Sequence, residues 1–262
     1  MTDFARPWWM RICPAKWREA VYYRFLQKRT GDFASLYTRA SLLYAHDASM
    51  WDLIPGDVIS GCVAFGGVYE WHLTQMMVEL VKGGAETFID VGANMGYFSV
   101  LWASLSTRAR VISFEPVRRN LIRLANNRER NSLGDRIKVI DKAASNYSGE
   151  VRFAEGPELQ TGWGGMSTEG SLIVPCVRLD EIVEERKIDL LKVDVEGAEA
   201  VVLRGCERLL GNRAIRRIVF EYNRERAADY VGEDPCDLLE IYGYRCTHLK
   251  DRGGMWLAEL PA

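Results

Sequence analysis

From residue 86 onward, short apolar runs alternate with longer stretches of helical periodicity, which is the pattern of a βαβ chain. Runs at 87–91 (TFIDV), 109–115 (ARVISFE) and 137–141 (IKVID) predict strands, with helices over 97–105 and 118–132 between them. Shorter strands are expected at 149–153 and 171–177, around a glycine-rich loop at 160–170. The run at 188–195 (IDLLKVDV) is apolar without alternation, as expected of a parallel strand buried on both faces. A helix over 198–210, a strand at 215–222 and a helix near 237–241 follow. Strands at 244–249 and 255–260 flank Arg252-Gly-Gly254, which predicts a hairpin and therefore one antiparallel strand closing an otherwise parallel sheet. The expected fold class is α/β: a Rossmann-like, mostly parallel sheet flanked by helices, with a reversed C-terminal strand.

The first 66 residues read differently, and the expected division is an N-terminal helical extension over 1–66 and a Rossmann-like domain over 67–262. Between residues 14 and 28 apolar positions recur at helical spacing, interleaved with Lys16, Arg18, Arg24 and Lys28 and with the aromatics Trp17, Tyr22, Tyr23 and Phe25. Such a helix either packs along the domain's edge or serves as a peripheral membrane or partner contact.

Composition narrows the field. A chain of 262 residues that is 48% apolar can bury a full core, and a net charge of −2 provides no broad basic field for a polyanion, so nucleic acid is not the expected partner. The six cysteines are scattered without metal-ligand spacing and read as reduced thiols. No apolar run approaches membrane-spanning length and residues 1–13 lack a continuous leader-like stretch, so a cytoplasmic location is expected.

The candidate chemistry begins where the first predicted strand of this pattern meets its helix. In 88–96 (FIDVGANMG), a buried strand ends in a glycine-bearing loop that opens a helix, a turn that binds nucleotide-like ligands at the carboxyl edge of a sheet. Gly92 and Gly96 let the backbone pass close to a ligand, and Asn94 tolerates a left-handed conformation. The spacing departs from G-x-G-x-x-G, and Asp90 would repel a pyrophosphate. S-adenosylmethionine carries a sulfonium and an ammonium and no phosphate, so a carboxylate there suits it. Glu115, at the end of the second strand, is placed for ribose hydroxyls, while Asp141 and Ala143, after the third, are placed for adenine. Asp90 read instead as a helix cap, and Glu115 as a partner of Arg118 or Arg119, are the competing structural explanations.

Here the chain resembles a known family. The segments FIDVGANMG, FEP at 114–116, VRLD at 177–180, LKVDVEGAE at 191–199 and VYE at 68–70 look like those of FkbM-type methyltransferases, over roughly residues 67–220. The resemblance implies a class I methyltransferase fold with a seven-stranded sheet and, usually, O-methylation of a hydroxyl on a sugar or natural product. The chain departs from the family at Glu221-Tyr-Asn223, where many members carry Glu-x-His.

A hydroxyl acceptor must lose its proton, and Asp194, Glu196 and Glu221 stand at or just past the carboxyl ends of two predicted strands. Each is a candidate general base or a ligand for a divalent cation, whose requirement stays open. Capping of the helix near Ala198 is the alternative role for Asp194 and Glu196. Lys192, inside the strand, needs a partner, and Asp194 on the same face is the natural one. Glu70, His72 and Trp163 are the candidate acceptor contacts, Trp163 by stacking on a sugar face. The leading expectation is an S-adenosylmethionine-dependent methyltransferase acting on a small-molecule or glycan acceptor. A member that binds cofactor or a partner without turnover, a nicotinamide-dependent oxidoreductase and a nucleic-acid methyltransferase are the alternatives.

Overall fold

A computed structural model describes residues 6–29, 39–157, 160–167, 169–222, 231–249 and 254–261. The N-terminal part holds α1 (Trp8–Ile12), α2 (Ala15–Val21) with a π-helical continuation (Tyr22–Leu26), β1 (Arg39–Ser41), β2 (Ser49–Trp51) and α3 (Val58–Gly61). Next come α4 (Trp71–Lys82), β3 (Thr87–Val91), α5 (Tyr97–Leu105), β4 (Arg110–Phe114), α6 (Arg118–Arg130) and β5 (Ile137–Ile140). After β6 (Ala143–Ala144), β7 (Gly149–Ala154), β8 (Gly165–Met166) and β9 (Leu172–Val177) lie α7 (Leu179–Ile182), β10 (Leu190–Val193), α8 (Glu199–Arg204) and α9 (Glu207–Gly211). Last are β11 (Arg217–Glu221), α10 (Pro235–Ile241), β12 (Arg245–His248) and β13 (Met255–Glu259).

Seven strands form the central sheet in the order β12-β13-β11-β10-β3-β4-β5. The five from β11 to β5 run parallel, and β13 lies antiparallel to both β11 and β12. The reversed strand expected from the sequence is therefore β13, although residues 252 and 253 of the proposed turn lie outside the described residues. Alternate residues of each central strand feed two cores. Phe88, Leu190 and Val219 face one with α4, α5 and the N-terminal helices, while Ile89, Val91, Leu191, Val193 and Phe220 face the other with α8, α9 and α10. Burial on both faces is why these strands read as continuous apolar runs. A smaller sheet, β6-β9-β7-β8, sits beside the main one around Phe153, Val174 and Cys176.

The N-terminal helices are fastened to this body. Met10, Tyr22 and Leu26 enter the first core. Arg18 donates to the carbonyl oxygens of Cys13, Gly66 and Arg11, and Arg6 to that of Ala64. Both carboxylate oxygens of Glu19 accept from backbone amides at the start of α4, Glu70 N at 3.0 Å and Trp71 N at 3.2 Å.

Two expectations need correction. The single helix expected over 198–210 is two, α8 and α9, parted at Gly205, where the chain passes so close to Ser145 that a Cβ would lie 2.0 Å from its carbonyl oxygen. The second helix is then capped from a distance, Asp180 accepting from Arg208 N at 2.8 Å and Leu209 N at 3.1 Å. The long strand expected over 188–195 is regular only at Leu190–Val193, with Ile188 paired to Ile215 as an isolated bridge.

Candidate functional site

A continuous cavity of about 1340 Å3 opens along the carboxyl ends of β3, β4, β10 and β11. Sites for one drug-sized ligand usually span roughly 300–1,000 Å3, so this one has room for two small molecules side by side.

One wall is the loop after β3. Gly92 (φ 81°), Asn94 (φ 51°) and Gly96 (φ 87°) are all left-handed, which lets the chain turn sharply from strand to helix. Neighbouring protein also crowds both glycines, backbone at Gly92 and a leucine side chain at Gly96. A Cβ on Gly92 would lie 1.9 Å from the Asp194 carbonyl oxygen, and one on Gly96 would lie 2.3 Å from Leu124 Cδ1. Glu115 faces the same wall, accepting from Asn94 N and Val117 N, both at 2.8 Å, through different oxygens. The Asn120 side chain also bonds this carboxylate, and two oxygens with two lone pairs each leave acceptor capacity for a further donor. Burial pushes the Glu115 carboxyl up to about 7, against the pull of those amides. Ala143 and Lys142 continue the wall, whereas Asp141 is exposed and does not line it.

Asp90 lies behind the loop, outside the cavity lining. It is 1% exposed and accepts from Ser99 Oγ at 2.5 Å, Ser99 in turn meeting Ser113 Oγ at 2.8 Å. Its other oxygen has no hydrogen-bond partner, and burial raises its pKa despite Lys192 on the adjacent strand.

The opposite wall is a carboxylate cluster around Lys192. The lysine is 2% exposed and bonds Asp194 Oδ2 at 2.7 Å, the pair anticipated from their spacing. Coulombic attraction to Asp194, Asp90 and Glu70 overrides burial and raises its pKa, so it remains charged. Glu70 and Glu221 face the same cluster. Burial, then Asp194 repulsion, outweighs attraction from Lys192 and pushes Glu70 up to about 8. Burial with Asp194, Glu196 and Glu70 also pushes Glu221 up to about 8. Glu70 adopts a left-handed conformation (φ 45°), and its Oε2 is buried with no hydrogen-bond partner. Glu196 (φ 54°) lines the cavity but is exposed. The loop amides before α8, Val195 N and Gly197 N, are met at 3.2 Å by Glu199 rather than by Asp194 or Glu196. Among the described residues no group of three His, Cys, Asp or Glu side chains is arranged to hold a metal ion.

The remaining rim comes from the 160–165 loop, α2 and α4. Trp163 lines the cavity and is 65% exposed, and His72 is exposed against Trp71 with ring centroids 4.7 Å apart. Sequence reasoning missed what anchors this loop. Asp57, 1% exposed, caps α3 through Ser60 N at 2.8 Å and accepts from Thr161 N and Oγ1 at 3.2 and 3.0 Å. Asn94 Nδ2 then meets Thr161 Oγ1 at 3.2 Å, so Asp57 ties the rim to the β3 loop. The spacing of Asp57 and Ser60 is a readable cap signal, but the long-range half of the contact has none. Tyr23 and Tyr69, which complete the lining beside Glu70, were likewise not singled out.

The model of the methyltransferase FkbM domain matches residues 90–246. The chain belongs to the FkbM methyltransferase family. Hexuronic acid methyltransferase AglP of Haloferax volcanii is 30% identical over 155 residues, covering 58% of this chain and 59% of that protein. AMB antimetabolite synthetase AmbE of Pseudomonas aeruginosa is 29% identical over 205 residues, covering 62% of this chain and 10% of that protein. The chain thus spans 59% and 10% of the lengths of these curated relatives. Among solved structures, an FkbM methyltransferase from Methylobacillus flagellatus superposes with a TM-score of 0.50 at 18% identity, over 93% of this chain and 60% of that one. That likeness concerns the fold, the class I methyltransferase sheet in which this FkbM chain places its cavity.

Proposed function

We propose that this FkbM-family chain is an S-adenosylmethionine-dependent O-methyltransferase acting on a hydroxyl of a sugar, glycan or related natural product. The observation that carries the reading is one cavity large enough for two molecules, with Glu115 on one wall and the Glu70–Asp194–Glu221 cluster on the other. The wall fits the cofactor: Glu115 retains acceptor capacity for ribose hydroxyls, and Ala143 leaves room for a flat base. The unpartnered Glu70 Oε2 and the lone pairs of Asp194 suit a cationic ammonium. When bound, the sulfonium supplies an electrophilic methyl group. The protein's own part is to hold the acceptor hydroxyl in line and to receive its proton, and Glu221 is the assigned acceptor of that proton. Trp163, exposed at the rim, gives an apolar face on which a sugar ring can stack. Relationship to a hexuronic acid methyltransferase supports a saccharide as the acceptor class.

Calorimetric titration with S-adenosylhomocysteine tests the cofactor assignment without an identified acceptor, with NAD as control. Saturable binding of the thioether and none of NAD is expected, weakened about tenfold or more in Glu115→Ala, which loses the carboxylate assigned to the ribose hydroxyls. Failure of the wild-type protein to bind S-adenosylhomocysteine would sink the reading.

A further inference from the structure

The N-terminal helices present three faces. Arg18, Tyr22 and Leu26 are buried and hold the helix to the body, while Lys16, Ala20, Tyr23 and Gln27 line the cavity. The third row carries Trp17 and Phe25, which are 56% and 65% exposed. A regular α-helix would turn such an i, i+8 pair apart by about 80°, and the wider π-helical turn over Tyr22–Leu26 reduces that drift. In α1, Trp8 and Ile12 stand one turn apart and are 72% and 73% exposed, with Trp9 beside them at 37%.

Charge accompanies these apolar tips. Residues 6–29 contain seven Lys or Arg and one acid in a chain of net charge −2. The acid, Glu19, is turned inward onto the start of α4, and Arg6 and Arg18 are turned inward onto carbonyls. Arg11, Lys16, Arg24 and Lys28 remain on the surface around the exposed indoles, Lys16 Nζ lying 5.6 Å from the Trp17 ring centroid. No helix among the described residues is long and apolar enough to cross a membrane.

We infer that this segment docks the protein onto an anionic lipid bilayer, with the mouth of the cavity beside the contact. Exposed Trp, Ile and Phe side chains enter the headgroup boundary, while Lys and Arg lay their stems along it and keep their charges against anionic lipid. The residue types favour a bilayer over an acidic protein, because indoles and long basic side chains are each apolar along the body and polar at the tip. The helix that carries the contact is also a wall of the cavity, so an amphiphilic acceptor held in the membrane would meet the site at the bilayer surface. That consequence for the acceptor rests on the proposed function, whereas the docking does not.

The test is co-sedimentation of the full chain with phosphatidylcholine vesicles, with and without about one third phosphatidylglycerol, at low and high salt. Binding is expected to the phosphatidylglycerol vesicles, to weaken with salt, and to fall about tenfold or more in the triple variant Trp8→Ser, Ile12→Ser, Phe25→Ser. These side chains are exposed, so the variant should keep the wild-type affinity for S-adenosylhomocysteine, which reports an intact fold. A wild-type protein that ignores anionic vesicles overturns the inference, as does a variant that pellets as well as wild type. Concentration-dependent self-association abolished by the triple variant, without vesicle binding, would give this face to a second copy of the chain and equally overturn it. Vesicle binding without affinity for S-adenosylhomocysteine would leave the docking standing and remove only the methyltransferase reading.

Discussion

A carboxyl group can take a proton from a hydroxyl only after losing its own, and burial beside Asp194, Glu196 and Glu70 holds that of Glu221 up to about 8. Turnover should therefore rise with pH toward this value, as one coupled titration shared with Glu70 rather than two separate ones. Glu221→Gln keeps the shape of the side chain and removes the base. It should lower turnover by about 100-fold or more and flatten the pH profile, with S-adenosylhomocysteine affinity nearly unchanged. Full activity in that variant would take Glu221 out of the mechanism. Gly92 shows how a residue can be legible while its reason is not. The sequence marks it as a point of close approach, and the group that approaches is the Asp194 carbonyl oxygen of the adjoining strand as well as any ligand.

Elements were legible where local pattern and tertiary environment agree. The strands at β3, β4 and β5 and the helices α5 and α6 lie where their apolar spacing predicts, the strands pairing with their neighbours in one parallel layer. The break between α8 and α9 was not legible, since apolar residues keep helical spacing straight through it. The contacts made there are Ser145 against Gly205 and Asp180 over the new N-terminus, both remote in sequence. Asp180→Ala should accordingly destabilise the protein by about 1–2 kcal/mol, read from the urea midpoint at constant slope, with the site's ligand affinity retained. An unchanged midpoint would mean that the cap contributes nothing.

At the scale of the molecule, four carboxyl groups are pushed up from 4.5 mainly by burial: Glu115 and Glu199 to about 7, Glu70 and Glu221 to about 8. Over that interval the folded state holds protons that the unfolded chain has released. Their contribution to stability is therefore fully present below about 4.5 and is lost as pH rises through 7 to 8. Thermal unfolding of the ligand-free protein should show Tm falling between about pH 5 and pH 8, and a rise across that range would contradict this account. The primary sequence by itself determined the layer architecture and the order of its strands' ends, because hydrophobic period is a local property that every residue in a run reports. It also placed Gly92, Asn94, Glu115 and Asp194 at or just past those ends and Lys192 inside a strand, since motif spacing is local too. Only the tertiary structure decided which groups share a space. It set Asp90 behind the cavity against Ser99, left Asp141 outside, and brought Asp57 to Thr161 and Glu19 to α4. Those contacts join residues far apart in the chain, and their hydrogen bonds and desolvation exist only once the core has brought the elements together.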